Sequence, residues 1–196
     1  LDRTINSFQS SLTSEREPTR NNQNARLGVD YQFGKNTTLG VLFSGYLNKW
    51  DMDALNTIVE KEETETKIIS QNREDNDWQH LQSNINLVHQ FENGAIFSAD
   101  FDYLYYKNEN PTTYDQTFED ENGVIVNEQD VFSTKTTPFD ISVGKVDYSN
   151  PISDNFKFSV GTKYVQSNFE NDVLVEENNI PLEAFTSKSN LKENIF

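Results

Sequence analysis

Residues 24–48 read NARLGVDYQFGKNTTLGVLFSGYLN, and this stretch decides the fold. On both sides of Gly34-Lys35-Asn36, apolar and polar residues alternate at every second position. Such alternation is typical of β-strands with one apolar face, because successive side chains of a strand point to opposite sides. The stretch therefore predicts a β-hairpin with a tight turn.

The same pattern occurs twice more along the chain. Residues 81–106 alternate around a Glu92-Asn93-Gly94 turn, and residues 139–166 alternate around a turn at Ser149–Asn155. The segment 139–148 is ambiguous: its apolar face is formed either by Phe139, Ile141 and Val143 or by Val146 and Tyr148, and a β-bulge between the two groups would reconcile both. The terminal segments 3–12 and 187–196 resemble strands of neighbouring hairpins. We therefore expect seven or eight strands, the last of them incomplete.

Long polar segments separate the three hairpins, at residues 49–78, 107–137 and 168–190. The first carries nine acidic residues against four basic ones. We expect these segments to be loops, with a short helix at 53–61 and a small hairpin at 118–126. Short and long connections alternate, so all the short turns fall at one end of the strands. Outer-membrane β-barrels show this asymmetry, with short periplasmic turns and long outer loops.

The overall composition excludes several classes of protein. The chain has 196 residues, a formal net charge of -16 and 34% hydrophobic residues. No apolar run approaches the roughly 20 residues of a membrane-spanning helix. The negative charge and the lack of a basic stripe argue against nucleic acid as a partner. Without cysteine, disulfide scaffolds and cysteine-based metal sites are excluded.

The apolar strand faces need a cover, and nothing else in the sequence is suited to provide it. The polar connections are too acidic, and no long amphipathic helix is present. Lipid is the alternative cover, since a tilted strand of about 10 residues spans the roughly 25 Å apolar band of a membrane barrel. The sequence thus predicts an all-β protein, a transmembrane antiparallel up-and-down β-barrel, in which residues 1–196 belong to one barrel domain.

Aromatic residues near the strand ends support this interpretation, because membrane barrels carry aromatic girdles at both edges of the apolar band. Near the short turns these residues are Phe33, Phe91, Tyr148 and Phe156. Near the long connections they are Tyr46, Trp50, Trp78, Tyr103, Tyr105, Tyr106 and Tyr164. A general preference of aromatic residues for strands explains their presence but not their clustering at strand ends.

Parity assigns the strand residues to two faces. The residues predicted to contact lipid are Leu27, Val29, Tyr31, Leu39, Val41, Phe43, Ile85, Leu87, Phe97, Phe101, Phe158 and Val160. Those predicted to face the lumen are Arg26, Asp30, Asn84, Asn86, Asp100, Asp102, Lys157 and Lys163. Both sets follow from the period of two, which places alternate residues on one side of a sheet.

Residues capable of catalysis or metal binding are few. His80 and His89 are nine residues apart, so within one strand their side chains point to opposite faces and cannot bind one metal ion together. Asp100 and Asp102 share a face, which we interpret as a polar wall rather than a catalytic pair. Weak Ca²⁺ binding in the loops, through Asp51 and Asp53 or through Glu119–Gly123, is the one cofactor role considered, although EF-hand spacing is missing. We expect no enzymatic activity.

Several motifs resemble a known family. The segment from Asn24 to Val41, the strand around Asp100, the corner Lys145-Val146-Asp147-Tyr148-Ser149-Asn150-Pro151 and the strand Gly161-Thr162-Lys163-Tyr164 resemble an outer-membrane β-barrel family abundant in Bacteroidota. That family belongs to the TonB-dependent-receptor-like proteins. The resemblance, which covers about residues 22–196, implies a large barrel with an N-terminal plug domain, in the outer membrane of a Gram-negative bacterium. Because the chain begins at Leu1 with neither an initiator methionine nor a signal segment, we expect it to be a barrel fragment, and no plug or TonB box is recognisable in it.

Three functional hypotheses follow. In the first, the chain is part of the wall of a transporter for uptake across the outer membrane. In the second, it is a barrel subunit of a larger membrane assembly, whose long loops bind a surface lipoprotein or another outer-membrane protein. In the third, it is a soluble β-rich surface or adhesin module. Outer-membrane lipid is the expected partner of the first two, and a periplasmic energy-coupling protein is expected only if a plug lies upstream.

Overall fold

The computed structural model describes residues 1–5, 7–153 and 155–196, which form one antiparallel β-sheet without helices. Its strands are β1 (Asp2–Ile5), β2 (Phe8–Phe33), β3 (Thr37–Lys61), β4 (Glu65–Gln90), β5 (Ile96–Glu119), β6 (Ile125–Ser153), β7 (Phe156–Glu177), β8 (Ile180–Pro181) and β9 (Ser187–Ile195). Each strand from β1 to β8 pairs with the next, and β9 also pairs with β7. The predicted all-β, up-and-down antiparallel architecture is confirmed, and within the described residues the sheet does not close on itself.

No helix among the described residues is long and apolar enough to span a membrane.

The three short turns lie where the sequence placed them. Phe33 pairs with Thr37 across the first turn, and Gln90 pairs with Ile96 across the second. Gly34 and Gly94 have φ angles of 64° and 82°, a region that favours glycine and suits tight turns. At the third turn the register shifts between Pro151 and Ser153. One residue of that turn, Asp154, lies outside the described residues.

The β-bulge that would have reconciled the two assignments of residues 139–148 is not observed. Val143, Gly144, Lys145 and Val146 pair in unbroken register with β5 and with β7. The strand therefore keeps its alternation, which places Phe139, Ile141 and Val143 on one face and Val146 and Tyr148 on the other.

The segments 49–78, 107–137 and 168–190 are not long loops, which corrects the sequence prediction. The paired strands continue through them to tight tips, one at residues 62–64 and one at residues 120–124. In the third segment β7 continues to Glu177, and short β8 follows. The prediction of a short helix at 53–61 is wrong, since these residues lie in β3. The small hairpin predicted at 118–126 is present and forms the second tip.

Polar pairs between neighbouring strands explain why these segments are extended without an apolar alternation. Lys67 Nζ lies 3.0 Å from Glu119 Oε2, and Asn108 donates a hydrogen bond of 2.7 Å to Asn76. Cross-strand pairs of this kind stabilise a sheet wherever both faces are wet. An alternation of apolar and polar residues identifies only strands that have one face shielded from water.

The sheet is a single layer, so it has almost no interior. Among the described residues, the buried apolar side chains are those of Ala54 and Ala95, both small. Large apolar side chains stay exposed instead, for example Leu27 at 70% and Phe158 at 46%. A sheet that buries its apolar face needs a second layer, and the described residues supply none.

Candidate functional site

The cross-strand register brings the twelve residues predicted to contact lipid onto one face of the sheet. Val29 pairs with Val41, Val41 with Ile85, and Ile85 with Phe101. Directly opposed residues of an antiparallel sheet project to the same side, so this row lies on one face. The neighbouring rows add Tyr31, Leu39, Leu87, Phe97 and Val160, together with Leu27, Phe43 and Phe158. We refer to this side as the apolar face.

The apolar face ends sharply along the strands. In β3 it extends from Thr37, which pairs with the exposed Phe33, to Leu47, and the next residue on the same side is Lys49. Lys49 forms an ion pair of 3.3 Å with Asp77 of β4. From Thr37 to Leu47 the strand rises about 33 Å, which a tilt near 40° reduces to about 25 Å. That height equals the apolar band of a membrane barrel.

The opposite side of the sheet, here called the polar face, carries all eight residues predicted to face the lumen. Asn84 donates a hydrogen bond of 2.7 Å to Asp102, and Asn86 donates one of 3.0 Å to Asn84. The side chains of Asp30 and Asn86 lean over Gly40, where a Cβ would lie 2.6 Å from each. Asp100 belongs to the same row, and the row continues through Lys145 to Lys163. Asp100 and Asp102 are thus part of a hydrogen-bonded and charged wall.

The polar face also carries a row of aromatic rings that the sequence analysis did not identify. Tyr46, His80, Tyr106, Phe139 and Phe169 lie side by side on β3 to β7. Their successive ring centroids are 5.2, 4.2, 6.5 and 6.2 Å apart. Such spacings are those of interacting aromatic pairs. We call these five residues the aromatic row.

The aromatic row corrects the predicted outer girdle. Tyr46, Trp50, Trp78 and Tyr106 share the parity of the polar face, whereas Tyr103, Tyr105 and Tyr164 lie on the apolar face. The prediction grouped these residues by their distance from the strand ends and did not assign each of them to a face. Counting onward from Val41 to Tyr46, an odd number of steps, would have assigned Tyr46 to the polar face.

The two histidines project from opposite faces, in separate surroundings. The His80 ring lies between Tyr46 and Tyr106, and its Nε2 atom has no hydrogen-bond partner among the described residues. His89 Nδ1 is 2.7 Å from Thr37 Oγ1, and its ring contacts Phe91 edge-on. Within the described part of the chain, no three or more His, Asp or Glu side chains are grouped as a metal site would require.

The carboxylates considered for Ca²⁺ binding already contact protein groups. The Asp120 carboxylate accepts hydrogen bonds from the backbone amides of Val124 and Asn122, at 2.8 and 2.9 Å. These two bonds, the one from Val124 foremost, lower the pKa of Asp120. Asp53 pairs with Arg73 at 3.5 Å. Asp120 therefore stabilises the second hairpin tip, as its position in the turn requires.

Asp51 lies opposite Asp75 on the apolar side of the sheet, beyond the apolar band. Desolvation raises the pKa of Asp75, and a hydrogen bond with Asp51 and repulsion from Asp51 and Asp77 add to the effect. Lys49 acts in the opposite direction.

Comparison with known proteins adds two findings. The ferric yersiniabactin uptake receptor FyuA from Yersinia pestis is a similar solved structure, with a TM-score of 0.36 and 8% sequence identity. The similarity covers 99% of this chain and 39% of that chain, so the chain spans well under half of the receptor's length. No curated protein matches the sequence.

The family comparison agrees with the geometry of the two faces. A family model described as "Outer membrane protein beta-barrel family" matches residues 89–196, which is more than half of the chain. The matched stretch contains β5 to β9, of which β5, β6 and β7 carry parts of both the apolar face and the polar face. The chain therefore belongs to the outer membrane protein beta-barrel family and is a protein of the Gram-negative outer membrane.

Proposed function

We propose that the chain forms part of the wall of a TonB-dependent-receptor-like transporter, which takes up a solute across the outer membrane. One observation carries the proposal: a single-layered sheet has one uncovered apolar face about 25 Å high and one polar face. In this arrangement lipid covers the apolar face, and the polar face lines an aqueous lumen. Energy coupling through a periplasmic protein would need a plug domain in addition to this wall.

The position of the tips sets the orientation. The tight turns after Phe33 and Gln90 lie at the end of the sheet near the apolar band, and periplasmic turns of membrane barrels are short. The strands continue beyond the band at the other end for more than ten residues, from Lys49 to Lys61 in β3. The paired hairpins therefore project from the outer surface, where their acidic side chains attract cations.

Cysteine labelling tests the two faces directly, because the natural chain has no cysteine to interfere. In intact outer membranes, a polar maleimide should label Asn86→Cys through the lumen and leave Val41→Cys unlabelled in lipid. The two positions lie one residue row apart, so depth is matched. Equal labelling of both would overturn the membrane assignment.

Uptake is tested with the same variant. A bulky maleimide attached at Asn86→Cys should slow growth on those solutes whose use is lost when the gene is deleted. The same reagent on cells that carry Thr19→Cys, outside the band, serves as the control. If deletion impairs no solute among sugars, peptides and metal chelates, the transporter assignment fails.

A second candidate function is that of a subunit in a larger outer-membrane assembly. The projecting hairpins favour it, because they offer two polar faces above the membrane to a lipoprotein or another barrel. Cross-linking from a cysteine at Glu121, on the second tip, distinguishes the two functions. A single abundant cross-linked protein, with uptake unaffected by gene deletion, would support the assembly role.

A further inference from the structure

We propose that the polar face carries a binding site for an anionic, ring-bearing small molecule at the outer end of the apolar band. The proposal deepens the proposed function, since it names the chemical class of a solute that the lumen wall would meet. Two features carry it: the aromatic row and the distribution of charge around that row.

The aromatic row lines open grooves of ligand size. One groove of about 670 Å³ is lined by Tyr106, Phe139, Phe169 and Trp78, with the aliphatic side chains of Leu104 and Ile141. A second groove of about 600 Å³ is lined by Trp78 and Tyr46, and the two therefore share Trp78. Volumes of this order accommodate small molecules rather than protein domains. Aromatic walls favour flat rings, which stack on them.

The level of the aromatic row on the strands suits a solute that arrives from outside. His80, the second residue of the row, pairs with Tyr46 and directly precedes Leu81 of the apolar face. Two residues beyond Leu81, in the direction of the tip, that face presents Gln79, and after it the charged Asp77. The grooves therefore open at the outer end of the band.

The charge around the grooves is positive, in a chain whose net charge is -16. From the row that contains Arg26 to the row that contains Arg20 and Lys135, the polar face of β2 to β7 carries these three cations and no carboxylate among its described residues. On that face Asp102 lies one row beyond the row of Arg26, and Glu74 lies one row beyond the row of Arg20. Glu193 of β9 is the next carboxylate in the direction of the neighbouring strand, since it pairs with Ser167 of β7.

The acids of this level lie on the opposite side of the sheet. Asp77 pairs there with Lys49 and Glu109 with Lys107, at 3.3 and 2.6 Å. By contrast Arg20, Arg26 and Lys135 are exposed and make no ion pair within the described residues. Cations held without counter-charges beside aromatic walls favour an anion that also has a ring.

Amide side chains complete the polar lining. Asn22, Asn48 and Asn108 occupy the row next to the aromatic row, on the side of the tips. Amides both donate and accept hydrogen bonds, so they can satisfy hydroxyl or carboxylate groups of a bound ring compound. The site thus combines ring stacking, anion attraction and hydrogen bonding within one stretch of the wall.

Three matched probes test the proposal: 2-naphthalenesulfonate, 2-naphthalenemethanol and 2-naphthylmethylammonium, which share one ring system and differ in charge. Binding is measured by equilibrium dialysis against the purified protein in detergent, with protein-free micelles as the blank. We expect the sulfonate to bind about tenfold more tightly than the alcohol, since contacts to charged groups contribute about that much. The ammonium compound should bind most weakly.

Substitutions locate the site. Lys135→Gln should weaken sulfonate binding by about tenfold and leave alcohol binding unchanged, whereas Trp78→Ala should weaken both. Lys49→Gln, a loss of the same charge on the opposite face, is the control and should change neither. Lys135→Glu should shift the preference toward the ammonium compound. A heat-induced shift in gel mobility shows which variants have folded.

Equal binding of sulfonate and ammonium compounds, or equal effects of Lys135→Gln and Lys49→Gln, would overturn the site. These outcomes are separate from a failure of the proposed function, because dialysis in detergent requires neither lipid nor transport. A protein that binds the sulfonate at Lys135 but supports no uptake would keep this site and contradict the transporter.

Discussion

Replacement of Val41 by arginine measures how much the apolar face depends on lipid. Val41 lies four residues after the start of β3 and six before Leu47, and it is opposed by Val29 and Ile85. With about 3.3 Å per residue and a tilt near 40°, Val41 lies about 10 Å into a band of about 25 Å. Val41→Arg should therefore cost about 2 to 4 kcal/mol, the cost of arginine near the bilayer midplane.

The matched control is Asn86→Arg, one row away but on the polar face. There the guanidinium would lie close to Asp30 and Asp100, which belong to the same row, so its charge has partners and water. Its cost should stay below about 1 kcal/mol, comparable to that of an exposed substitution. Thr38→Arg, on the same face near the first turn, should behave similarly.

The measurement is reversible unfolding by guanidinium chloride in lipid vesicles, followed by tryptophan fluorescence. A difference of 2 kcal/mol or more between Val41→Arg and Asn86→Arg would support the two faces. Equal losses of unfolding free energy in the two variants would refute the reasoning, because they would mean that both side chains are in the same environment. Val41→Leu, which keeps the apolar surface, should change stability little.

Three further predictions concern the tips and turns. Protease added to intact cells should cut at the tips 62–64 and 120–124. Cleavage at the 92–95 turn would show that the proposed orientation in the membrane is wrong. Asp75→Asn should slow hydrogen exchange in the outer part of β3 and β4 at pH 7 but not near pH 3. Because the pKa of Asp75 is raised, its ionised form destabilises the fold at pH values above that raised pKa. This cost decreases as the pH falls through the raised pKa, and it is absent below the ordinary value of 3.8. An effect of equal size at both pH values would contradict that origin. Gly94→Ala should cost about 1 to 2 kcal/mol, because φ is 82° and a Cβ would lie 3.2 Å from Pro151. Gly144→Ala, with open space at its Cβ position, is the control and should unfold at nearly the unaltered denaturant concentration.

The sequence alone determined the three hairpins and the two faces within the apolar band. Alternation with a period of two is a local property, and the first two tight turns carry glycine, Gly34 and Gly94, at a positive φ. Once the turns are placed, the register of neighbouring strands follows, so Val29, Val41 and Ile85 could be assigned to one side without coordinates. Within the band, only the segment 139–148 of β6 needed tertiary information to assign its faces.

Only the tertiary structure decided what lies beyond the band and where the aromatic rings project. Residues 49–61 have two wet faces, so no alternation reveals them as a strand; their pairing with β2 and β4 does. The aromatic row depends on unbroken register across five strands, from Tyr46 to Phe169, and a single bulge at 143–146 would have reversed the side on which Phe139 lies. Register over long distances depends on pairing between strands, and the composition of one strand does not specify it.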